Sequence, residues 1–249
     1  MALRTESHST ENITIQASES PDELKRVEEE HPLYIALVKA SVWAFAPIFA
    51  ASLIGAGIVL WQAQLAWTLL FLLPLGLLSS DFTSGLFHWF FDNYGSPQTP
   101  VFGPTIELFR VHHDLPQDIC NSNFTFTVGH VCLWSVPMVA AHLVALALGF
   151  THPIFAAWTA FFTTAHLFLI LTNQFHKWAH LPNKTPLITW LQSHKWVLNT
   201  PHHNVHHTPP FESYYCITTG WMNPILYKIK FFPRMEALLS RLGIDKASA

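Results

Sequence analysis

Residues 201 to 207, PHHNVHH, place four histidines within seven positions, and the chain carries further histidines in FRVHH, HKWAH and GLFHWFFDNYGS. Neutral imidazole is a common ligand for iron, copper, nickel and zinc, so these residues can do metal chemistry. Positions four apart on a helix lie nearly one above the other. His202 with His206 and His203 with His207 therefore form two pairs, turned by about 100° from each other. Two such pairs suit two ions. His176 and His180 in HKWAH make a third pair. Adjacent His112 and His113 point too far apart to chelate one ion but reach two neighbouring ones, and His88 adds a single ligand.

The number of imidazoles exceeds what a four-coordinate zinc ion uses, which favours two ions of higher coordination number. None of the pairs encloses the glutamate of an HExxH protease. Cys120, Cys132 and Cys216 form no CxxC and imply neither a disulfide framework nor a thiolate site. His194 and His202 stand between direct ligation and a supporting role. His8, His31, His130, His142, His152 and His166 read as surface or capping residues. Asp81 and Asp92 flank His88 and are candidates to orient an imidazole from behind, Asp92 the better placed. Glu107 and Glu212 have no compelling spacing, and the NFT at Asn123 is a chance match to a glycosylation acceptor.

What must position these residues is a set of membrane helices. Half of the 249 residues are apolar and 12% are charged, against about 25% charged in an ordinary soluble domain. A formal charge of -3 offers no basic surface, which excludes nucleic acid as a partner. Runs long enough to cross a bilayer, about 20 residues each, are expected at about 35–60, 64–91, 129–150 and 154–175. Residues 1–30 read as a disordered polar tail, and 31–249 as one membrane domain. The expected architecture is all-α, a bundle of about four transmembrane helices under a His-rich helical cap. Lys and Arg avoid the two short turns, so segments 92–128 and 176–249 and both termini are expected on the cytoplasmic face. All the candidate ligands then gather at that face. The stretch NPILYKIKFFPRMEALLSRLG reads equally as a helix in the membrane interface or as an amphipathic helix packed on the core.

Iron suits a histidine site beside lipid, because activated dioxygen can take hydrogen from an unreactive methylene. DFTSGLFHW with DNYGS, FRVHHDLP, TNQFHKWAH, HHNVHH and ESYYCITTGWMNP, over about residues 78 to 243, resemble in order and spacing the plasmanylethanolamine desaturase family. A branch of plant-type phosphatidylglycerol acyl desaturases shares the histidine pattern. The resemblance implies a non-haem di-iron membrane enzyme that uses dioxygen and two electrons to convert a 1-O-alkyl ether lipid into its vinyl ether, a plasmalogen. It implies metal ligation by His88, His112, His113, His176, His180, His203, His206 and His207, with His202 in reserve. Electrons would come from cytochrome b5 or a ferredoxin, since no dinucleotide fingerprint or haem motif is present; Lys177, Lys184 and Lys195 are candidate docking cations. The membrane would be the bacterial inner membrane or the endoplasmic reticulum. The chain departs from membrane acyl-lipid desaturases at large, whose early HxxxH is replaced by an isolated His88. Acyl-lipid desaturation is the alternative product chemistry, and a His-rich metal transporter the reading from a different class.

Overall fold

The structure, a computed structural model, describes residues 32–100 and 102–247; the expected polar tail lies outside them. Among the described residues the ordered elements are all helical. Four helices are long and apolar enough to cross a membrane: Ile35–Gln62, Ala66–Asn93, Phe124–Ala147 and Pro153–His180. The first lies within α1 (Pro32–Gln62) and the second joins a short 3-10 turn to α2 (Leu69–Asn93). Helix α3 (Gly103–Asp114) and a turn at Asp118–Asn121 precede α4 (Phe124–Ala147) and α5 (Pro153–His180). Four shorter helices follow: α6 (Pro186–Ser193), α7 (Thr200–His206), α8 (Asn223–Lys228) and α9 (Phe231–Arg241).

The third span begins at Phe124, five residues before the expected boundary, because Asn123 caps it by accepting the Phe126 N–H at 2.9 Å. That role accounts for the asparagine of the NFT match. The fourth span runs on to His180. At 1.5 Å per residue its 28 residues cover about 42 Å, more than the roughly 30 Å of hydrocarbon, so its last turns reach beyond the apolar layer. His176 and His180 sit on that extension.

Helix α1 packs along α4, and α2 along α5, with α5 also touching α1 and α4. Without a hydrophobic drive between helices in lipid, close approach at small residues holds such a bundle together. Ala56, Ala156 and Ala160 are fully buried beside Leu60 and Leu146. A Cβ on Gly76 would lie 2.9 Å from Thr164 and 3.0 Å from the Ala165 backbone, so α2 and α5 meet there nearly backbone to backbone. Buried hydroxyls such as Ser41 and Thr164 bond back to carbonyls of their own helices, and Trp43, Trp61, Leu70 and Phe71 are exposed where lipid would surround them.

The C-terminal stretch is two helices, since Lys230 adopts φ +52 between α8 and α9. Leu226 and Phe232 bury against Trp89, Tyr94 and Tyr215, so one face packs on the protein's own core. Ile225, Tyr227, Leu238 and Leu242 remain exposed on the other.

Candidate metal centre

Four helix ends meet at one end of the bundle. Arg110 on α3 donates to the carbonyl oxygens of Phe91, Tyr94 and Gly95 at 3.1–3.3 Å, tying α3 to the end of α2. Thr200 at the start of α7 donates to the Ala179 carbonyl on α5 and accepts from Lys184 at 2.9 Å. Asn199 caps α7 through the His202 N–H at 3.0 Å. These ties bring the last turns of α2, α3 and α5 against the short histidine helix.

The result is two adjoining groups of potential ligand atoms, each within 4.8 Å of one another: His112, His176, His180, His203 and His207 in the first, and His88, Asp92, His113 and His206 in the second. In the first, Nε2 atoms stand 3.0 Å apart for His112 and His180, 3.2 Å for His176 and His180, 2.8 Å for His180 and His203, and 3.0 Å for His203 and His207. Two ligands at right angles on an ion with bonds of about 2.0–2.1 Å are about 2.9 Å apart, so these spacings fit one shared ion. The groups adjoin, with the His113 and His207 rings 5.4 Å apart and the His88 and His176 rings 5.9 Å apart.

Ring orientation is fixed from behind. His88 Nδ1 lies 3.1 Å from the Tyr215 carbonyl oxygen, and His206 Nδ1 lies 2.8 Å from that of Ser213. A carbonyl only accepts, so each Nδ1 carries the proton and each Nε2 presents a lone pair. Both of those Nε2 atoms are buried without a hydrogen-bond partner, as are His203 Nδ1, both nitrogens of His113 and both oxygens of Asp92. Buried polar atoms are otherwise nearly always satisfied, and a cation shared by His88, Asp92, His113 and His206 satisfies one nitrogen of each of these imidazoles and an oxygen of the carboxylate. Burial, with neighbouring imidazoles adding to it, pushes His112 down to about 2 and His206 to about 3, and burial with His113 beside it pushes His207 to about 4. The rings are therefore neutral at pH 7, the form that ligates metal.

The structure divides the histidines differently from the pairs read along α7. His203 and His207 share the first group, but His206 joins the second without His202. The His202 ring turns away: its Nε2 accepts from Asn223 Nδ2 at 3.1 Å and it packs against Tyr214. His194 is exposed and stacks on Trp190. Asp92 stands among the ligand atoms, its Oδ2 lying 3.2–3.6 Å from Nε2 of His88, His113 and His206. Asp81 orients no imidazole directly; it accepts the backbone N–H groups of Thr219, Gly220 and Met222 at 2.8–2.9 Å. Glu107 is exposed, and Glu212 pairs with Lys246 at 3.2 Å. Lys177 is engaged by the Ser122 carbonyl and Lys184 by Thr200, leaving Lys195 as the exposed cation of the three. His142 and His166 bond to carbonyls of their own helices, and His152 caps α5.

Reading the sequence missed Asn223. This residue is 2% exposed, and beyond its bond to His202 it accepts the Cys216 N–H at 2.8 Å and donates to the Cys216 carbonyl at 2.9 Å. It thereby holds the strand of backbone that supplies the Ser213 and Tyr215 carbonyls. The Asn-Pro pair at the start of α8 was its only local signal.

Comparison with known proteins agrees with this chemistry. Plasmanylethanolamine desaturase of Myxococcus xanthus is 39% identical over 184 residues, covering 73% of this chain and 64% of that protein. Plasmanylethanolamine desaturase 1 of Mus musculus is 37% identical over 182 residues, covering 70% and 66%. Fatty acid desaturase 4, chloroplastic, of Arabidopsis thaliana is 33% identical over 179 residues, covering 70% and 52%. The chain thus spans just under two thirds of the length of the first two relatives. No solved structure matches it significantly. The family model of the lipid desaturase domain matches residues 77–247, the stretch that carries every ligand atom of both groups, and the chain belongs to the lipid desaturase family.

Proposed function

We propose that this multi-pass membrane protein desaturates the 1-O-alkyl chain of an ether phospholipid to a vinyl ether, through two irons held by His112, His176, His180, His203 and His207 on one side and His88, His113 and His206 on the other. The observation that carries the reading is the pair of adjoining histidine groups at one end of four membrane-length helices. The names of the bacterial and mouse relatives favour the ether-lipid substrate. When bound, the irons and dioxygen would supply an oxidant able to take two hydrogens from adjacent carbons. The balance is one alkyl ether, O2, two electrons and two protons giving one vinyl ether and two waters.

The chain's own residues hold and shield that chemistry. The Tyr215 and Ser213 carbonyls fix the tautomers of His88 and His206. An apolar groove of about 350 Å³, lined by Leu86, Phe87, Trp89, Phe90, Phe91 and Phe102, opens on the same turns of α2 that carry His88. A hydrocarbon chain lying there would contact apolar side chains. Electrons come from cytochrome b5 or a ferredoxin approaching the cytoplasmic face, to which the eight basic residues from Lys177 onward assign the C-terminal segment. The chain would reside in the bacterial inner membrane or the endoplasmic reticulum, with both termini in the cytoplasm.

Expression in a host that contains alkyl ether phospholipids but no vinyl ethers tests this. Plasmenyl species are expected, and they disappear in His176→Ala and His203→Ala. New acyl double bonds in phosphatidylglycerol instead would support the second reading, which the Arabidopsis relative favours. Bound zinc with no oxygen-dependent product would support a metal transporter, and persistence of plasmenyl lipids in both variants would refute the ligand assignment.

A further inference from the structure

We propose that Asp92 is itself a metal ligand, so that the two metal positions are chemically unlike: one all-imidazole, the other three imidazoles and a carboxylate. The inference rests on the two-metal reading above and adds to it a residue and an asymmetry.

The argument starts from what faces Asp92. Its carboxylate is mostly buried, and neither oxygen has a hydrogen-bond partner. The protons of His88 and His206 are committed to the Tyr215 and Ser213 carbonyls. Their Nε2 lone pairs therefore point at Asp92 Oδ2 across 3.5 and 3.6 Å, acceptor against acceptor. His113 Nε2 approaches the same oxygen at 3.2 Å. A buried carboxylate facing lone pairs is costly unless a cation stands between them. Ligand atoms around a first-row ion with tetrahedral angles are about 3.3 Å apart, which matches the 3.2–3.6 Å spacings.

Position along the helix supports the same assignment. Asp92 follows His88 by four residues on α2, one turn on along the same face. His176 and His180, and His203 and His207, are also four apart, and both members of each pair serve the first group. His88 and Asp92 form the corresponding pair for the second group, with oxygen in place of the second nitrogen. Asp81, two turns before His88, is excluded from this role because both of its oxygens are saturated by backbone N–H groups.

The consequence is electrostatic. Five neutral imidazoles leave the charge of an ion unchanged, whereas a carboxylate lowers the net charge at the second position by one. Hard oxygen ligation there also favours iron or manganese over softer ions. Two iron environments should be distinguishable in the wild-type protein.

The test uses the full chain in lipid nanodiscs, cleared of metal and reloaded with iron(II). The wild type is expected to take up two ions per chain and to show two Mössbauer quadrupole doublets of equal area. Asp92→Ala is expected to keep one ion tightly and to bind the second about tenfold more weakly or worse, while Asp92→His restores two ions with one doublet altered. An infrared difference spectrum between the metal-free and iron-loaded wild type, with 13C-labelled aspartate, covers the case in which Asp92→Ala fails to fold. A labelled carboxylate band that shifts on loading and is missing in the isosteric Asp92→Asn supports the assignment. Two tightly held ions in Asp92→Ala, or no Asp92-dependent carboxylate shift in a wild type that holds two ions, would overturn it and leave the two-metal reading standing. A wild type that binds no metal would overturn both.

Discussion

The Nδ1 of His88 lies 3.1 Å from the carbonyl oxygen of Tyr215, a residue 127 positions further along the chain. Through this contact a transmembrane helix and a loop beyond α7 determine together where one imidazole lone pair points. The same loop sets His206 through Ser213, so the second ligand group is only as well placed as residues 213–223. Four consequences follow from how that loop and its neighbours are held.

Asp81 anchors the loop by accepting three backbone N–H groups, although no imidazole touches its carboxylate. Asp81→Asn keeps the shape but removes the charge and one acceptor. Charge-assisted hydrogen bonds contribute about 1.5–3 kcal/mol, so thermal unfolding in detergent should show a loss of that order. Iron content should fall with it, although all eight histidines remain. Unchanged stability in Asp81→Asn would show that the loop is held by other contacts.

Gly85 lets the loop approach α2. A Cβ there would lie 2.5 Å from Cys216 Sγ and 3.2 Å from the Cys216 backbone nitrogen, next to Tyr215. Gly85→Ala is expected to cost about 1–3 kcal/mol through overpacking and to weaken iron retention. Gly57→Ala is the control, since nothing stands within 4 Å of its added Cβ, and it should be neutral or stabilising by up to about 1 kcal/mol. Melting temperatures of the two variants, measured side by side, check the pair.

Acid should destabilise the metal-free protein. Burial is the main cause that lowers His112 to about 2 and His206 to about 3, while the same residues unfolded titrate near 6.5. Below pH about 6.5 the unfolded chain takes up protons that the folded chain refuses. Stability is therefore complete above that pH and is lost as the pH falls toward 3, by as much as about 1.4 kcal/mol per pH unit for each such histidine. Denaturant titrations of metal-free protein at pH 7.5 and 5.5 read this directly. At pH 7 the rings are already neutral, so loading with metal should release few protons from them, a point that calorimetry in buffers of different ionisation enthalpy measures.

His202 supports the loop and does not face either ligand group. Its Nε2 accepts from Asn223 and its ring packs on Tyr214. His202→Ala should keep two ions per chain and lose about 1–3 kcal/mol of stability, since it leaves the Asn223 amide with an unmet donor. His203→Ala should lose metal. Metal analysis of both purified variants decides, and loss of an ion in His202→Ala would return that residue to the ligands.

Much of this was legible from local chemistry. A span of about 20 apolar residues must be a helix in lipid because its backbone has no other hydrogen-bond partners there, so four spans could be read without knowing how they pack. Histidines four apart share a helix face whatever surrounds the helix, which is why HKWAH and the pair His203 and His207 could be recognised as units. Periodicity gives direction only relative to a helix's own axis. How far α7 is turned about that axis is decided by contacts from distant parts of the chain: Thr200 on Ala179, Asn223 on His202, and Gly85 against Cys216. Those contacts send His206 to the second group and His202 to Asn223. They also separate the two aspartates, bringing Asp92, the better placed of the two, in among the potential ligand atoms and giving Asp81 to the backbone of a loop about 140 residues away. The sequence by itself determined which residues could bind metal and that they cluster near the ends of the apolar spans; only tertiary packing decided which of them meet, because side-chain convergence depends on helix rotation that no local pattern encodes.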